Sequence, residues 1–272
     1  MKYTFEPTGA NAQTNHLGSY RRRLPVSLER MYENALDWAH LPHVHASTFD
    51  TITCTESGAW GWRATVTSGD EDTEIELLLD RQARRWITRT KSGQNVGAEI
   101  WTQVFQVESR VLDITVDFFV PDIPASDRLS LGKAYAAVYE RLYDEDVALM
   151  SERQRQLDRR LEGRSTDQSL SIENPSRLPL PHAFSLGGRD YLLHQQDQAW
   201  LIYPARCPHQ LGPLDALPLV DGQVTCPWHG YVFDVRSGRC VSGATCHLGP
   251  MPTVTEHSDG LVVSWALPVN PR

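Results

Sequence analysis

Hydrophobic positions along the first 160 residues change their spacing as the chain proceeds. The stretch "YRRRLPVS", residues 20–27, predicts an opening strand that runs into a helix near Leu28. Period two follows: Trp60, Trp62, Ala64 and Val66 alternate with smaller or polar residues, as do Ile75, Leu77 and Leu79. Leu112, Ile114, Val116, Phe118 and Val120 repeat the pattern. Beyond Pro121 and Pro124 the period becomes 3.6, from about Asp127 to Leu161. Tyr135, Val138, Tyr139, Leu142, Leu149 and Met150 then form one apolar stripe. An antiparallel sheet wrapped on one long helix is the simplest architecture that buries all of these faces.

A seam separates this segment from the next. "GRSTDQSLSIENPSR", from Gly163 to Arg177, is polar and turn-rich without apolar period, which is linker composition. The expected organisation is a first domain over 1–162, a linker over 163–178 and a second domain over 179–272. Short apolar runs separated by Gly, Pro and Asp-Gly turns make the second domain all-β.

Composition narrows the function classes. A net charge of -8 argues against a general binder of nucleic acid or anionic membranes, since both need a basic face. The start "MKYTFEPTGANAQ" lacks the apolar run of a signal peptide, and no stretch approaches membrane-spanning length, so a cytoplasmic protein is expected. In that compartment five cysteines read as ligands or buried thiols rather than disulfides.

The chemistry begins with a repeated pair. Cys207 and His209 are followed after sixteen residues by Cys226 and His229, with a proline after each cysteine. Two thiolates and two imidazoles at this spacing suit zinc or a [2Fe-2S] cluster. The flanks decide between them: "CPHQLGP" and "CPWHGYVFDVRSGRCV" resemble the Rieske cluster-binding signature. The resemblance implies Cys207 and Cys226 on one iron and His209 and His229 on the other. Pro213 and Trp228 fill the places where respiratory Rieske proteins carry an extra disulfide, so the pattern is nearer to the low-potential centres of ferredoxins and oxygenases. Cys240 and Cys246 lie beyond the signature and read as reduced structural thiols, and Cys54 as a small buried hydrophobe.

The stretch "ENALDWAHLPHVH", residues 33–45, is dense in metal-capable groups. Asp37 and His40 stand three apart, on one helical face, and Pro42 is expected to end the helix and turn His43 and His45 into a loop. The stretch resembles the mononuclear-iron motif of Rieske non-haem iron oxygenases. The resemblance implies His40 and His45 as iron ligands, Asp37 as an electron-bridging carboxylate and Asn34 beside the metal; His43 falls outside that pattern, but its spacing from His40 also suits binding and keeps it a rival to His45. The third ligand is sought on the last helix, where Asp146 falls on the apolar stripe and Asp144 nearly opposite. The family's ligand Asp lies some eight residues before a Gln, as Asp146 does before Gln154, with Glu145 as second choice. Two histidines and a carboxylate leave open positions for dioxygen.

The resemblance also implies the fold: an α+β chain with a helix-grip, START-like catalytic domain followed by an all-β Rieske domain, the reverse of the usual order. It implies an oxygenase, a mono- or dioxygenase, that hydroxylates or dealkylates a hydrophobic aromatic or alicyclic molecule. Mononuclear Fe(II) and a [2Fe-2S] cluster are its cofactors and a homotrimer its assembly. The resemblance implies electrons from NAD(P)H through a reductase or ferredoxin, and since no Gly-rich dinucleotide fingerprint or flavin motif occurs, that partner is expected to be a separate chain. The alternatives are a Rieske electron-transfer protein whose first domain only binds a hydrophobic ligand, and a zinc-stabilised binding module.

Overall fold

The computed structural model describes residues 15–161, 165 and 167–265. The opening stretch read above for a signal peptide and positions 163, 164 and 166 of the expected linker lie outside the described residues. The chain divides into two compact units, Met1–Ser151 and Glu152–Arg272.

In the first unit, strand β1 (His16–Leu24) leads through Pro25 into helix α1 (Leu28–Leu36). The Ser27 side chain caps that helix by accepting the Arg30 N–H, as an N-cap serine does. A 3-10 turn (Trp38–His40) and a short helix α2 (Leu41–Val44) follow. Then come strands β2 (Thr51–Gly58), β3 (Gly61–Ser68), β4 (Glu71–Asp80), β5 (Arg85–Thr90), β6 (Glu99–Glu108) and β7 (Val111–Phe119), and helix α3 (Arg128–Leu161), whose residues from Glu152 on belong to the second unit. The seven strands form one antiparallel sheet in the order β1-β7-β6-β5-β4-β3-β2. This is the sheet and long helix of a helix-grip domain, and the period-two runs fall on β3, β4 and β7 as expected.

One face of the sheet carries the core. Trp62, Ala64, Val66, Leu77, Leu79, Trp86, Val104, Leu112, Ile114, Val116 and Phe118 are all buried there. On the other face Arg63, Glu76, Arg89 and Glu99 stand in one row across β3 to β6. Arg63 Nε meets Glu76 Oε2 at 2.9 Å and Arg89 Nε meets Glu99 Oε1 at 2.7 Å. Alternating sign pairs the buried Glu76 and Glu99 with arginines, so β4 is buried on both faces where Glu76 and Leu78 stand between the core positions Ile75, Leu77 and Leu79.

Two expectations are corrected. Pro42 does not end a helix: α1 has already stopped at Leu36, and Pro42 sits in the first turn of α2, where its missing N–H costs nothing. Residues 163–178 are not all linker, because strand β8 (Ser169–Glu173) lies inside that range. Its Leu170 and Ile172 alternate with Ser169, Ser171 and Glu173, a pattern too short to stand out in a polar stretch.

The second unit adds β9 (His182–Leu186), β10 (Arg189–Gln196), β11 (Ala199–Pro204), β12 (Gln223–Thr225), β13 (Val232–Asp234), β14 (Thr253–His257) and β15 (Gly260–Ser264). They form sheets β11-β10-β9, β12-β13 and β14-β15-β8. Ile172, Leu186, Tyr191, Leu193, Ile202, Leu261 and Val263 make a common core. No helix among the described residues is long and apolar enough to cross a membrane.

Gly132 lets α3 approach the backbone of β1 closely. A Cβ there would lie 2.4 Å from the backbone oxygen of Leu17. Alanine normally gains about 1 kcal/mol over glycine inside a helix, but backbone overlap of this kind costs about 1–3 kcal/mol. Gly132→Ala is therefore expected to be net destabilising, lowering the urea midpoint followed by circular dichroism. An unchanged or raised midpoint would show that α3 can back away from β1.

Candidate metal centres

Asp146 is placed by helical period. It follows Tyr143 and precedes Leu149 and Met150 on the inner face of α3, and all four are buried. A lone carboxylate in such a place costs several kcal/mol, and three side chains from the α1–α2 segment supply its partners. Asn34 Nδ2 donates to Asp146 Oδ1 at 2.9 Å. His45 Nε2 lies 3.0 Å and His40 Nε2 3.4 Å from the same oxygen, and the two imidazole nitrogens are 3.3 Å apart. His40 and His45 are buried, with 3 % and 2 % of their surface exposed.

These three atoms form a triangle with edges of 3.0–3.4 Å. Donors about 2.1 Å from one ion stand about 3.0 Å apart when cis in an octahedron and about 3.4 Å apart in a tetrahedron. The donor set therefore fits a single ion bound on one face, with the opposite positions open. Among the described residues, His40, His45 and Asp146 are the group whose ligand atoms all lie within 4.8 Å of one another.

The far nitrogen of each imidazole is already committed. His40 Nδ1 donates to the main-chain carbonyl of Asp37, and His45 Nδ1 donates to Glu145 Oε2 at 2.6 Å. Both rings are thereby fixed with Nε2 facing Asp146. This corrects the expected role of the Asp37 side chain toward His40: its Oδ2 is 3.9 Å from Nδ1, and the backbone oxygen of the same residue takes the proton instead. The reason is local, since α1 ends at Leu36 and the main chain leaves helical angles at the capping residue Asp37. Glu145, the second choice for a ligand, lies behind His45. His43 is exposed, and Asp144 is exposed and paired with Arg22 at 2.6 Å. Gln154 bonds to Asp158, four residues on along α3.

The electrostatics follow from burial and pairing. Burial raises the Asp146 carboxyl, but hydrogen bonds from His40 and His45 outweigh it and hold it far below the carboxylate range. Burial lowers His45, and its bonds to Asp146 and Glu145 reverse the sign, leaving the imidazole above its ordinary value.

In the second unit two loops share one geometry. The Leu211 N–H returns to the Cys207 carbonyl at 3.0 Å, and the Gly230 N–H to the Cys226 carbonyl at 2.9 Å. Cys207 N–H reaches the Gly212 oxygen and Cys226 N–H the Tyr231 oxygen, both at 2.8 Å. Leu211 and Gly230, at matching positions, both have positive φ, +69° and +64°. Gly212 is required by closeness: a Cβ would be 2.8 Å from Cys226 Sγ and 3.0 Å from the Trp228 ring. Arg153 Nη1 holds the first loop through the Gln210 carbonyl at 3.1 Å.

The loops bring like ligands together. Cys207 and Cys226 are buried and hydrogen-bond to each other, while the exposed His209 and the buried His229 stack edge-on with centroids 4.5 Å apart. The Cys207 thiol, donating to Cys226, is pushed up, and Cys226 is held below the thiol range by that bond and one from His229. Sulfurs beside sulfurs and imidazoles beside imidazoles suit a two-iron cluster with one iron on each pair. Two other expectations fare differently. Cys240 and Cys246 are free thiols, whereas Cys54 is half-buried on β2, not a core residue.

Residues 169–253 match the Rieske [2Fe-2S] domain family. That part of the chain is a Rieske domain, and its cofactor is a [2Fe-2S] cluster. Protein TIC 55, chloroplastic, from Pisum sativum is 34% identical over 67 residues, 23% of this chain. The match covers 12% of that relative's length. Among solved structures, norcoclaurine synthase from Thalictrum flavum aligns with a TM-score of 0.39 at 13% identity, covering 56% of this chain and 97% of its own. A START superfamily protein from Mycobacterium smegmatis aligns at 0.38 and 14%, covering 50% and 97%.

Glu145→Gln keeps the size of the side chain but removes the charge behind His45. Loss of such a partner weakens metal binding about 10–100-fold, and metal titration of the stripped protein is expected to show a loss in that range. Unchanged affinity would make Glu145 a bystander. The metal-free protein also has a signed pH response. Stability from the raised His45 is complete below 6.5 and lost as pH rises through its folded value, whereas that from the depressed Asp146 is complete above 3.8 and lost as pH falls. The pair should contribute fully between pH 3.8 and 6.5, and the difference between wild type and Asp146→Asn, read by thermal melting, should be largest in that window.

Proposed function

We propose that this chain is the oxygenase component of a Rieske-type system, hydroxylating or dealkylating a hydrophobic small molecule with dioxygen. The observation that carries the reading is the buried triangle of His40, His45 and Asp146 in a chain that also contains a Rieske domain. We assign a mononuclear Fe(II) to these three residues and the [2Fe-2S] cluster to Cys207, Cys226, His209 and His229. When bound, the mononuclear iron supplies the redox chemistry that activates dioxygen at its open positions.

The residues do the rest. His40 and His45 would turn the Nε2 lone pairs to a bound ion, since Nδ1 of each ring is committed to the Asp37 carbonyl or the Glu145 carboxylate. Asp146 supplies the negative charge that compensates the ion, and Asn34 steadies its oxygen. The stripe of α3 that leads to Asp146 is aromatic: Tyr139 lies 5.3 Å from Phe118 and 6.3 Å from Tyr143, centroid to centroid. Burial raises both tyrosine hydroxyls well above their ordinary range, so they stay neutral. Such walls exclude water and favour an apolar, aromatic or alicyclic substrate. Electrons come from NAD(P)H through a separate reductase or ferredoxin, and the resemblance assigns Asp37 to their route within a homotrimer.

Metal analysis tests the assignment. Fully loaded protein is expected to hold one iron per chain beyond the two of the cluster, with acid-labile sulfide matching the cluster alone. Asp146→Ala should lose the extra iron and product formation with the cluster spectrum intact, while Asp144→Ala should lose neither. Iron at the cluster stoichiometry in active protein, or an emptied site in Asp144→Ala, would overturn it. Asp37→Asn should keep both metals and normal cluster reduction, yet slow cluster reoxidation by dioxygen and substrate by orders of magnitude in a single turnover. Parental reoxidation with equal product would remove Asp37 from the route.

A further inference from the structure

Cys240 and Cys246 lie outside the ligand set, and the structure brings them together. Arg239 and His247 form an antiparallel bridge, and the next residues inward on the two sides are Cys240 and Cys246. Directly opposed residues in such a pair have Cα atoms about 4.5–5.5 Å apart, inside the span of about 4.4–6.8 Å that a disulfide bridges. Both cysteines are half-buried free thiols, and they hydrogen-bond to each other. The turn between them exposes Val241, Ser242, Gly243 and Thr245, and Gly243 at its tip adopts a φ of +97°.

We propose that Cys240 and Cys246 form a dithiol site that exchanges with a low-molecular-weight disulfide. Cys240 is the attacking sulfur. Burial raises its thiol, but the Ser242 hydroxyl, at 3.3 Å from Sγ, and neighbouring backbone groups outweigh this and hold it below the usual thiol range. Cys246 is raised, chiefly by burial and then by Cys240, so it keeps its proton until the second step.

The Cys240 thiolate attacks one sulfur of the external disulfide, whose S–S bond breaks; one thiolate leaves and takes up a proton. Cys246 then gives up its proton and attacks Cys240 Sγ, releasing the second external sulfur as a thiol. The chain's two thiols are oxidised to one disulfide and the external disulfide is reduced to two thiols. The site is tied to the second cluster loop: Val241 N–H donates to the Val232 carbonyl at 2.8 Å, and Val232 N–H donates to Ser242 Oγ at 3.0 Å. Val232 opens β13, two residues after Gly230.

Reduced, cluster-loaded full-length protein is incubated with oxidised glutathione, free thiols are blocked, and peptides are mapped by mass spectrometry. A Cys240–Cys246 linked peptide is expected, with Cys54 reporting background modification. In Cys246→Ser the glutathione adduct should persist on Cys240. In Cys240→Ser, modification of Cys246 should be slower by about tenfold or more. Cysteines that both remain blockable after equilibration with excess oxidised glutathione would overturn the proposal. So would wild-type protein that keeps glutathione on either sulfur without forming the link. The wild-type mapping decides the matter even if a serine variant fails to fold.

Discussion

The first unit is organised around one buried negative charge. Asp146 sits on the inner face of a long helix, where an isolated carboxylate would be protonated or would loosen the packing. Instead it gathers Asn34 from α1, His40 from the 3-10 turn and His45 from the end of α2. Three elements with little regular structure of their own are thereby fixed to α3. The irregularity is useful, because a continuous helix from Leu28 would bring His45 nearly opposite His40. Ending α1 at Leu36 and restarting at Leu41 lets both rings converge.

Adjacent carboxylates on α3 then divide the labour. Residues one apart on a helix are separated by about 100°, so Glu145 flanks the site rather than entering it. It meets the far side of the His45 ring while Asp146 meets the near side. The next position back, Asp144, is turned to the surface and pairs with Arg22. One short acidic run thus supplies an oxygen that faces both imidazoles, an orienting oxygen and a surface ion pair. The difference lies in the angle each makes with the apolar stripe, not in its chemistry.

Sequence periodicity made much of this legible. The strands with clean alternation, β3 and β7, and the long helix were readable because one face of each is buried and the other wet. So was the inward direction of Asp146, which needs only the helical period. Less readable were β5 and β6, where Arg89 and Glu99 are buried as an ion pair and mask the alternation. The short β8 was hidden in a polar tract for the same want of length. The orienting partners were beyond reach. That His40 would use the carbonyl of Asp37, and His45 the side chain of Glu145, depends on where the backbone leaves the helix and on contacts a hundred residues apart.

The second unit meets a different constraint, namely bringing four donors from two loops to one place with no helix to set their spacing. Its solution is to build the same turn twice. Each loop closes on its cysteine carbonyl from four residues ahead and on its cysteine N–H from the oxygen five ahead. That closure needs a left-handed residue at the fourth position, which glycine supplies without strain at Gly230 and Leu211 supplies at some cost. The cost at Leu211 is offset by what the leucine side chain does, since it is buried whereas Gly230 has none to bury. The histidines break the equivalence, two positions after Cys207 but three after Cys226. The offset leaves one imidazole exposed and the other buried on otherwise matching turns. An outward histidine on one side and a sheltered one on the other gives the pair two environments from a single repeated backbone.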